Sequence, residues 1–570
     1  MNQAKNDALF ALAELYNYFG KRTASSKTKV VSLIVDEFNE QQVDDGCTVG
    51  TLGETTEQEV TRLLEKEVAR RELAKAEAKQ AKVKKVSDLP TVAGSMTGAE
   101  SQRQVLTGKK FLITAAQNNT HVHSAFFENL KAYAEHIGAQ LLVFPFIYNK
   151  NGFQNGEGGD SIWYAPELAD YMQRDSAWLG ETCKVSAMNF NILPTVKYPL
   201  SGLRECMGSA EAMLVPHATI AHECVAVLGA QYGETVPALY STGAVTQMNY
   251  IQQQAGQKAE GRHNFGAAIV EFNDFGQYWI RQIETNESGA FYDLQNYVSG
   301  NVSTEADAVE VINYGDIHAE KIDHDQAMFL WSPNGLLDTL KPEYQMFHDL
   351  LDFSALNHHN RDNHYHIAKN QFSGATVQGD IETVADLLDW SSRDFCTSVI
   401  VRSNHDDALD RWLADIRYEP RNDPKNALFY YKLQVLAYEA LEETGEQIDA
   451  LPHALRLVES VENNCKFLKA SQSFKIGGVE LGEHGHSGTN GSRGSPKQFS
   501  DKVMTTGHTH TPSIYGGCYT AGVTGKLAMG YNESGASNWV HAHVLQYVNG
   551  MRTIIHVKDN GAGDLAAWAN

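Results

Sequence analysis

The sequence predicts an α/β fold, and three observations lead there. From residue 109 onward, short apolar runs of strand type alternate with amphipathic helical stretches. The composition is that of a packed globular chain, 42% apolar and 21% charged. Five clusters of Asp, Asn and His follow one another through the carboxyl half, most of them directly after a strand-like run, which is where open α/β sheets place ligand contacts.

At 570 residues the chain is long enough for several domains. The expected divisions are a small helical region (1–50), a long polar helix with a linker (51–104), an α/β or α+β accessory domain (105–300) and a site-bearing domain (301–570). In the first, Ala8 to Tyr16 has helical periodicity, Gly20-Lys21-Arg22-Thr23 breaks it, and Val30, Val31, Leu33, Ile34 and Phe38 mark a second helix. Helix, basic turn, helix suits either a helix-turn-helix DNA reader or a plain helical cap. Between Glu65 and Val86 stand eight Lys or Arg against four Glu. The apolar stripe there (Val60, Leu64, Val68, Leu73) is thin, as in a solvated connector, a coiled coil that mediates assembly, or a basic helix against a phosphate backbone. Pro90, Gly94 and Gly98 mark the linker.

Lys110 to Thr114 reads as a buried strand, Ser124 to Ile137 as an amphipathic helix stopped by Gly138, and Leu141 to Pro145 as a second strand, together a β-α-β unit with parallel strands. Strands follow at 212–215, 238–240 and 266–272. Gln117, Asn118, Asn119, His121, His123, Thr242, Gly243 and Arg262 are either ligand contacts at strand ends or ordinary turn chemistry. In the site-bearing part, strands are expected at 308–314, 396–401, 474–480, 503–505 and 553–557, and helices at 382–390 and 427–441.

The net charge of −23 gives no whole-chain basic footprint for nucleic acid, although bound cations can reverse the charge of an acidic site. Seven dispersed cysteines with no Cys-x-x-Cys pair point to reduced thiols in the cytoplasm. Neither an apolar leader nor a run of membrane-spanning length is legible. No GxxxxGK[ST] phosphate loop is present.

The five clusters are Asp316-Ile-His318, His348-Asp349-Leu-Leu-Asp352, Ser403-Asn404-His405-Asp406, Glu483-His484-Gly485-His486 and Gly507-His508-Thr-His510. Mixed Asp and His ligands suit manganese, zinc or iron better than an all-oxygen magnesium cage. Residues i and i+2 just past a strand can reach one ion, and Gly315 and Gly507 permit close backbone approach beside it. The clusters lie dozens of residues apart, so a whole domain must gather them, unlike the local spacing of a zinc finger. His324, His358, His359, His364 and His366 read as surface or supporting residues, and His541 and His543, on an alternating strand, as structural ones.

Any one motif is weak. In this order the five resemble the signature of calcineurin-like metallophosphoesterases over residues 308 to about 558, with His348 and Ser403 standing where that signature has glycine. The resemblance implies a four-layer α/β/β/α sandwich and two divalent ions, manganese first, with magnesium, zinc or iron as alternatives. It implies that Asp316, His318 and His510 hold one ion, that Asn404, His484 and His508 hold the other, and that Asp349 bridges them with Asp352 in reserve. His405 would be the general acid, oriented by Asp406. The whole chain also resembles the pre-early proteins of T-five-like bacteriophages that degrade host DNA, on stretches such as Phe111 to Asn119 and Gly266 to Val270. That implies a metal-dependent DNase in the infected bacterial cytoplasm, with DNA, a homo-oligomer and a second phage early protein as expected partners. A phosphomonoesterase or nucleotidase, and a non-catalytic DNA-binding takeover factor, are the alternatives.

Overall fold

The computed structural model describes residues 104–148, 162–187, 196–305, 307–356, 363–458 and 464–569. The helix-turn-helix candidate and the basic helix of residues 1–103 lie outside the described residues. Within the remainder, three sheets form the frame.

The site sheet has six strands. Cys465–Phe467, Thr397–Ile400, Tyr344–Phe347 and Val309–Asn313 run parallel, and Ala542–Tyr547 and Arg552–His556 continue the sheet antiparallel. Parallel neighbours need crossovers, and helices supply them: His324–Trp331, Val377–Ser391 and Pro424–Thr444 among others. Val377–Ser391 shows why a helix forms there. The Thr376 hydroxyl caps the Gly379 N–H at 3.0 Å, and Val377, Ile381, Val384 and Leu388 line one face. Those residues pack with Ile312, Phe347, Ile400, Leu545 and Trp331 in the largest core. A bulge between Val309 and Val311 turns Val311 to the opposite face, where it joins Met346, Val399, Val479 and Leu481.

That second face packs on a sheet that has eleven strands among the described residues, running from Val105–Leu106 to Lys475–Ile476. It draws strands from both sides of residue 300. Ala221–Cys224 pairs antiparallel with Ser513–Tyr515, through His222 with Ile514. A small sheet of Tyr278–Thr285, Phe265–Phe272, Lys110–Gln117 and Gln140–Phe146 lies on the same eleven-stranded sheet, with Phe111, Phe144, Val270 and Ile280 against Val185, Leu214 and Tyr240. Its other face carries the helix Ser124–Ile137, with the span read from sequence, capped by His123 and closed by Gly138 in the left-handed region.

Strands from both sides of residue 300 therefore share one sheet. Residues 102–570 form one compact unit, because the shared sheet buries both stretches together. Lys110–Gln117 and Gln140–Phe146 pair in parallel, as the β-α-β reading expects, and Phe265–Phe272 joins antiparallel. Among the described residues, 3₁₀ turns and loops around Leu203–Met207 and Phe499 pack on the far face of the large sheet.

A buried charge network holds the small sheet to the hairpin that leads into the site sheet. Arg281 donates to Glu271 Oε2 at 2.7 Å and to both oxygens of Asp293 at 2.5 and 2.6 Å, and Tyr133 closes on Asp293 at 2.5 Å. All three charged groups are buried. Arg281→Ala would leave buried Asp293 with the Tyr133 hydroxyl and buried Glu271 with Lys110 at 3.4 Å, an expected loss of about 3–5 kcal/mol. Urea denaturation followed by tryptophan fluorescence checks this, and a loss under about 1 kcal/mol would contradict the network's role.

Candidate metal centre

The site lies where the two larger sheets meet. Asp316, Asp349 and Asn404 follow the carboxyl ends of the site-sheet strands Val309–Asn313, Tyr344–Phe347 and Thr397–Ile400. His484, His508 and His510 follow the large-sheet strands Val479–Glu480 and Met504–Thr506. One rim of one sheet is what the sequence suggested. Two facing sheets supply the ligands instead.

Three groups of donor atoms converge. Asp316, His318, Asp349 and His510 form one, Asp349, His484 and His508 a second, and His318, Asp352 and His405 a third, each with its donor atoms within 4.8 Å of one another. Asp349 belongs to the first and the second. His318 Nε2 and His510 Nε2 stand 3.0 Å apart, and His510 Nε2 is 3.1 Å from Asp316 Oδ2. Asp349 Oδ2 lies 3.7 Å from His318 Nε2 and 3.2 Å from His484 Nε2. Asp316 Oδ1 and Asn404 Oδ1 are buried with no hydrogen-bond donor. A buried, unpaired carboxylate oxygen is costly, and a cation is the partner that relieves it. The residues fit a divalent ion: Asp316, His318, Asp349 and His510 could hold one, and Asp349, His484 and His508 offer a second such group, with the unpaired Asn404 oxygen as a further donor.

The loops are held in costly shapes. His318, Asp349, His508 and His510 all have positive φ, between 44° and 74°. Such backbone persists only where its surroundings over-determine it. Here His318 N–H donates to Asp349 O at 2.8 Å and Asp316 N–H to Gly522 O at 3.1 Å. Gly507 is required sterically, because a Cβ there would fall 2.1 Å from Asp316 Oδ1; at Gly315 it would meet Val523 N at 2.5 Å.

Three supporting residues surround the ligand candidates. Asp352, the reserve bridge, lies 3.1 Å from His318 Nδ1 and 2.8 Å from Lys321 Nζ, where it orients the His318 ring. Asp406 turns away from the His405 ring to accept from Leu351 N–H and Ser403 Oγ. The group beside His405 Nδ1 is Asp352, at 3.5 Å. His348, the residue in place of a glycine, is buried with its Nδ1 3.4 Å from His484 Nδ1, where it fixes that ring from behind. Nothing in spacing marks His348 for this, because the contact spans 136 residues.

Electrostatics follow from burial and proximity. Burial opposes charge on His484, but Asp349 outweighs it and pushes the pKa up to about 9. Burial works against the Asp349 carboxylate too, yet His484 and His405 hold it well below the usual range. Burial and then His484 push His508 down to about 4. Burial and then Asp349 push Asp406 up to about 6.

Other sequence candidates take structural roles. His543 accepts the Gly315 N–H at 3.1 Å and His541 Nδ1 meets Val523 O at 3.0 Å. In the 117–123 loop, Asn118 Oδ1 accepts Tyr148 N–H, Gln117 Nε2 donates to Asn249 O and His123 caps its helix, which is turn and cap chemistry. Thr242 Oγ1 donates to Gly243 O, and a Cβ at Gly243 would meet Gly266 Cα at 2.8 Å. His121 packs on Trp163, while the Arg262 carbonyl accepts from Thr219. His366 bonds Asn370 within its own helix. His358 and His359 lie outside the described residues. Cys183, Cys206, Cys224, Cys396, Cys465 and Cys518 are free thiols. Among the described residues no helix is long and apolar enough to cross a membrane.

Fold and site together define a mixed α/β protein with a buried aspartate–histidine centre able to hold metal. The chain is 43% identical over 569 residues to Protein A1 of Escherichia phage T5, across 97% of this chain and 98% of that one, and it belongs to that phage protein family. No family model and no solved structure matches it.

Two outcomes follow from the geometry. A raised pKa at His484 means that the metal-free pair with Asp349 is stabilising below about pH 6.5 and loses that contribution as pH rises through about 9. Metal uptake at pH 7.5 should therefore release about one proton, a release that fades above pH 9. Calorimetry in buffers of different ionisation enthalpy measures it, and proton-neutral uptake at pH 7.5 would contradict the assignment. Gly507→Ala should weaken metal binding by about 10–100-fold, as losses around metal ligands do, read by competition with a chelating dye.

Proposed function

We propose that this chain is a two-metal phosphodiesterase that cleaves DNA, acting in host DNA degradation during phage infection. The observation that carries the reading is Asp349. It stands in both ligand groups of a buried centre, as a bridging carboxylate must, with His405 directly beside it. The order of the five motifs supports the calcineurin-like assignment. The choice of DNA is supported by the resemblance of stretches such as 111–119 and 266–270 and by membership of a phage family.

The residues divide the work. Asp316, His318 and His510 would hold one ion, Asn404, His484 and His508 the other, with Asp349 shared and manganese the ion first expected. Bound there, the ions would lower the pKa of a shared water and neutralise charge on the phosphoryl oxygens. His405 is mostly buried, and its backbone N–H donates to Asp349 Oδ1 at 3.4 Å, which fixes the residue against the centre. Its Nδ1 lies 3.5 Å from Asp352 Oδ1, and its other ring nitrogen would be the proton donor to the leaving oxygen. Asp406 and Ser403 hold the loop that carries both Asn404 and His405.

Purified protein with manganese should degrade plasmid and linear DNA, and chelator should abolish it. His405→Ala and Asp349→Asn should each lower kcat by about 10²–10⁴-fold. Phosphate release from mononucleotides without DNA cleavage would favour a nucleotidase, and full activity in the double variant would sink the two-metal mechanism.

A further inference from the structure

A cleft of about 700 Å³ opens between the Phe353 loop, the helix Asp407–Ala414 and the turn 415–423. That volume suits a small-molecule subsite. Its walls are aromatic. Phe353 packs on Trp412 at 5.9 Å between ring centroids, and Trp412 on Tyr418 at 5.2 Å. Phe353 and Trp412 are buried behind the wall, whereas Tyr418 is partly exposed. The cleft is built onto the metal centre. Phe353 follows Asp352, Ala408 is one turn past His405, and Arg411 Nη2 donates to the Asn404 carbonyl at 2.8 Å. Phe353 is held at a φ of 58°, a strained choice for an aromatic residue that sets its ring in this wall.

The charges are arranged unevenly. The three carboxylates at the cleft are engaged locally: Asp415 by Arg417 at 2.9 Å, Glu419 by Arg421 at 2.7 Å and Asp423 by the Tyr418 hydroxyl at 3.1 Å. Arg411 lines the cleft, is exposed and bonds a neutral carbonyl, that of Asn404 at the metal centre. One end therefore suits a phosphate and the body suits a flat ring. A base stacks on aromatic side chains without regard to its identity, and arginine supplies the backbone contact.

We infer that this cleft is a nucleotide subsite for an unpaired nucleotide flanking the scissile phosphate, with Arg411 on the phosphate and the Tyr418 ring on the base. The inference rests on the phosphodiesterase reading and adds single-stranded or frayed DNA as its substrate class.

The test is binding of a fluorescein-labelled five-residue oligothymidylate to the full chain, followed by anisotropy in chelator and in manganese. The parent should bind. Tyr418→Ala and Arg411→Gln should each weaken binding at least tenfold, and Tyr418→Phe, which keeps the ring, should bind within about threefold of the parent. Circular dichroism confirms that the variants fold. In manganese, KM for single-stranded DNA should rise in Tyr418→Ala with kcat within about threefold. Failure of the parent to bind, or binding unchanged in both Tyr418→Ala and Arg411→Gln, overturns the subsite. Tyr418-dependent binding in a protein that hydrolyses no DNA supports the subsite and overturns the hydrolase reading alone.

Discussion

Everything at this centre depends on burying several carboxylates side by side. Asp316, Asp349 and Asp352 are almost fully buried in adjacent loops. Taking each from water costs several kcal/mol unless opposite charge and donors replace the solvent. Asp352 is compensated inside the protein by Lys321 and by the back of His318. Asp349 leans on His484, and Asp316 keeps one oxygen without a donor. That difference separates the carboxylate that orients a ligand from those that would hold ions. It also explains the strain nearby: four left-handed residues and a glycine within 2.1 Å of a carboxylate, measured from a built Cβ, are what it takes to aim these groups at common points.

The frame that makes this aiming possible is a pair of sheets, not one. The site sheet brings Asp316, Asp349 and Asn404 to neighbouring strand ends because its strands step in chain order and pair in parallel. The large sheet approaches from the other side with the three histidines. Since that sheet runs on through strands from residues 105–241, the accessory stretch is mechanically continuous with the metal centre. The Arg281 network and the Ile220–Ile514–Val544 core secure that continuity.

Local features were legible where local rules governed. The helix 124–137 and the strand 212–215 have the spans that periodicity gives them, because each has its own apolar pattern and, for the helix, its own stop signal. The strand 474–480 is broken, since Gly477 and Gly478 turn it into a hairpin of two short pieces. The helix read as 427–441 extends from Pro424 to Thr444, because Pro424 starts it and Gly445 ends it. Supporting contacts were less legible. Asp352 stands beside His405 Nδ1, a placement that adjacency to His405 in sequence could not give.

The sequence by itself determined which residue types could bind metal and that most of them follow strand-like runs. Periodicity and composition carry that much, because both are properties of short segments. The tertiary structure decided the rest. It placed Asp349 in two ligand groups, set His348 behind His484, gave His405 to Asp352 and opened an aromatic cleft beside the centre. Those are contacts between segments far apart in the chain, created when two sheets close on each other, and no local pattern encodes them.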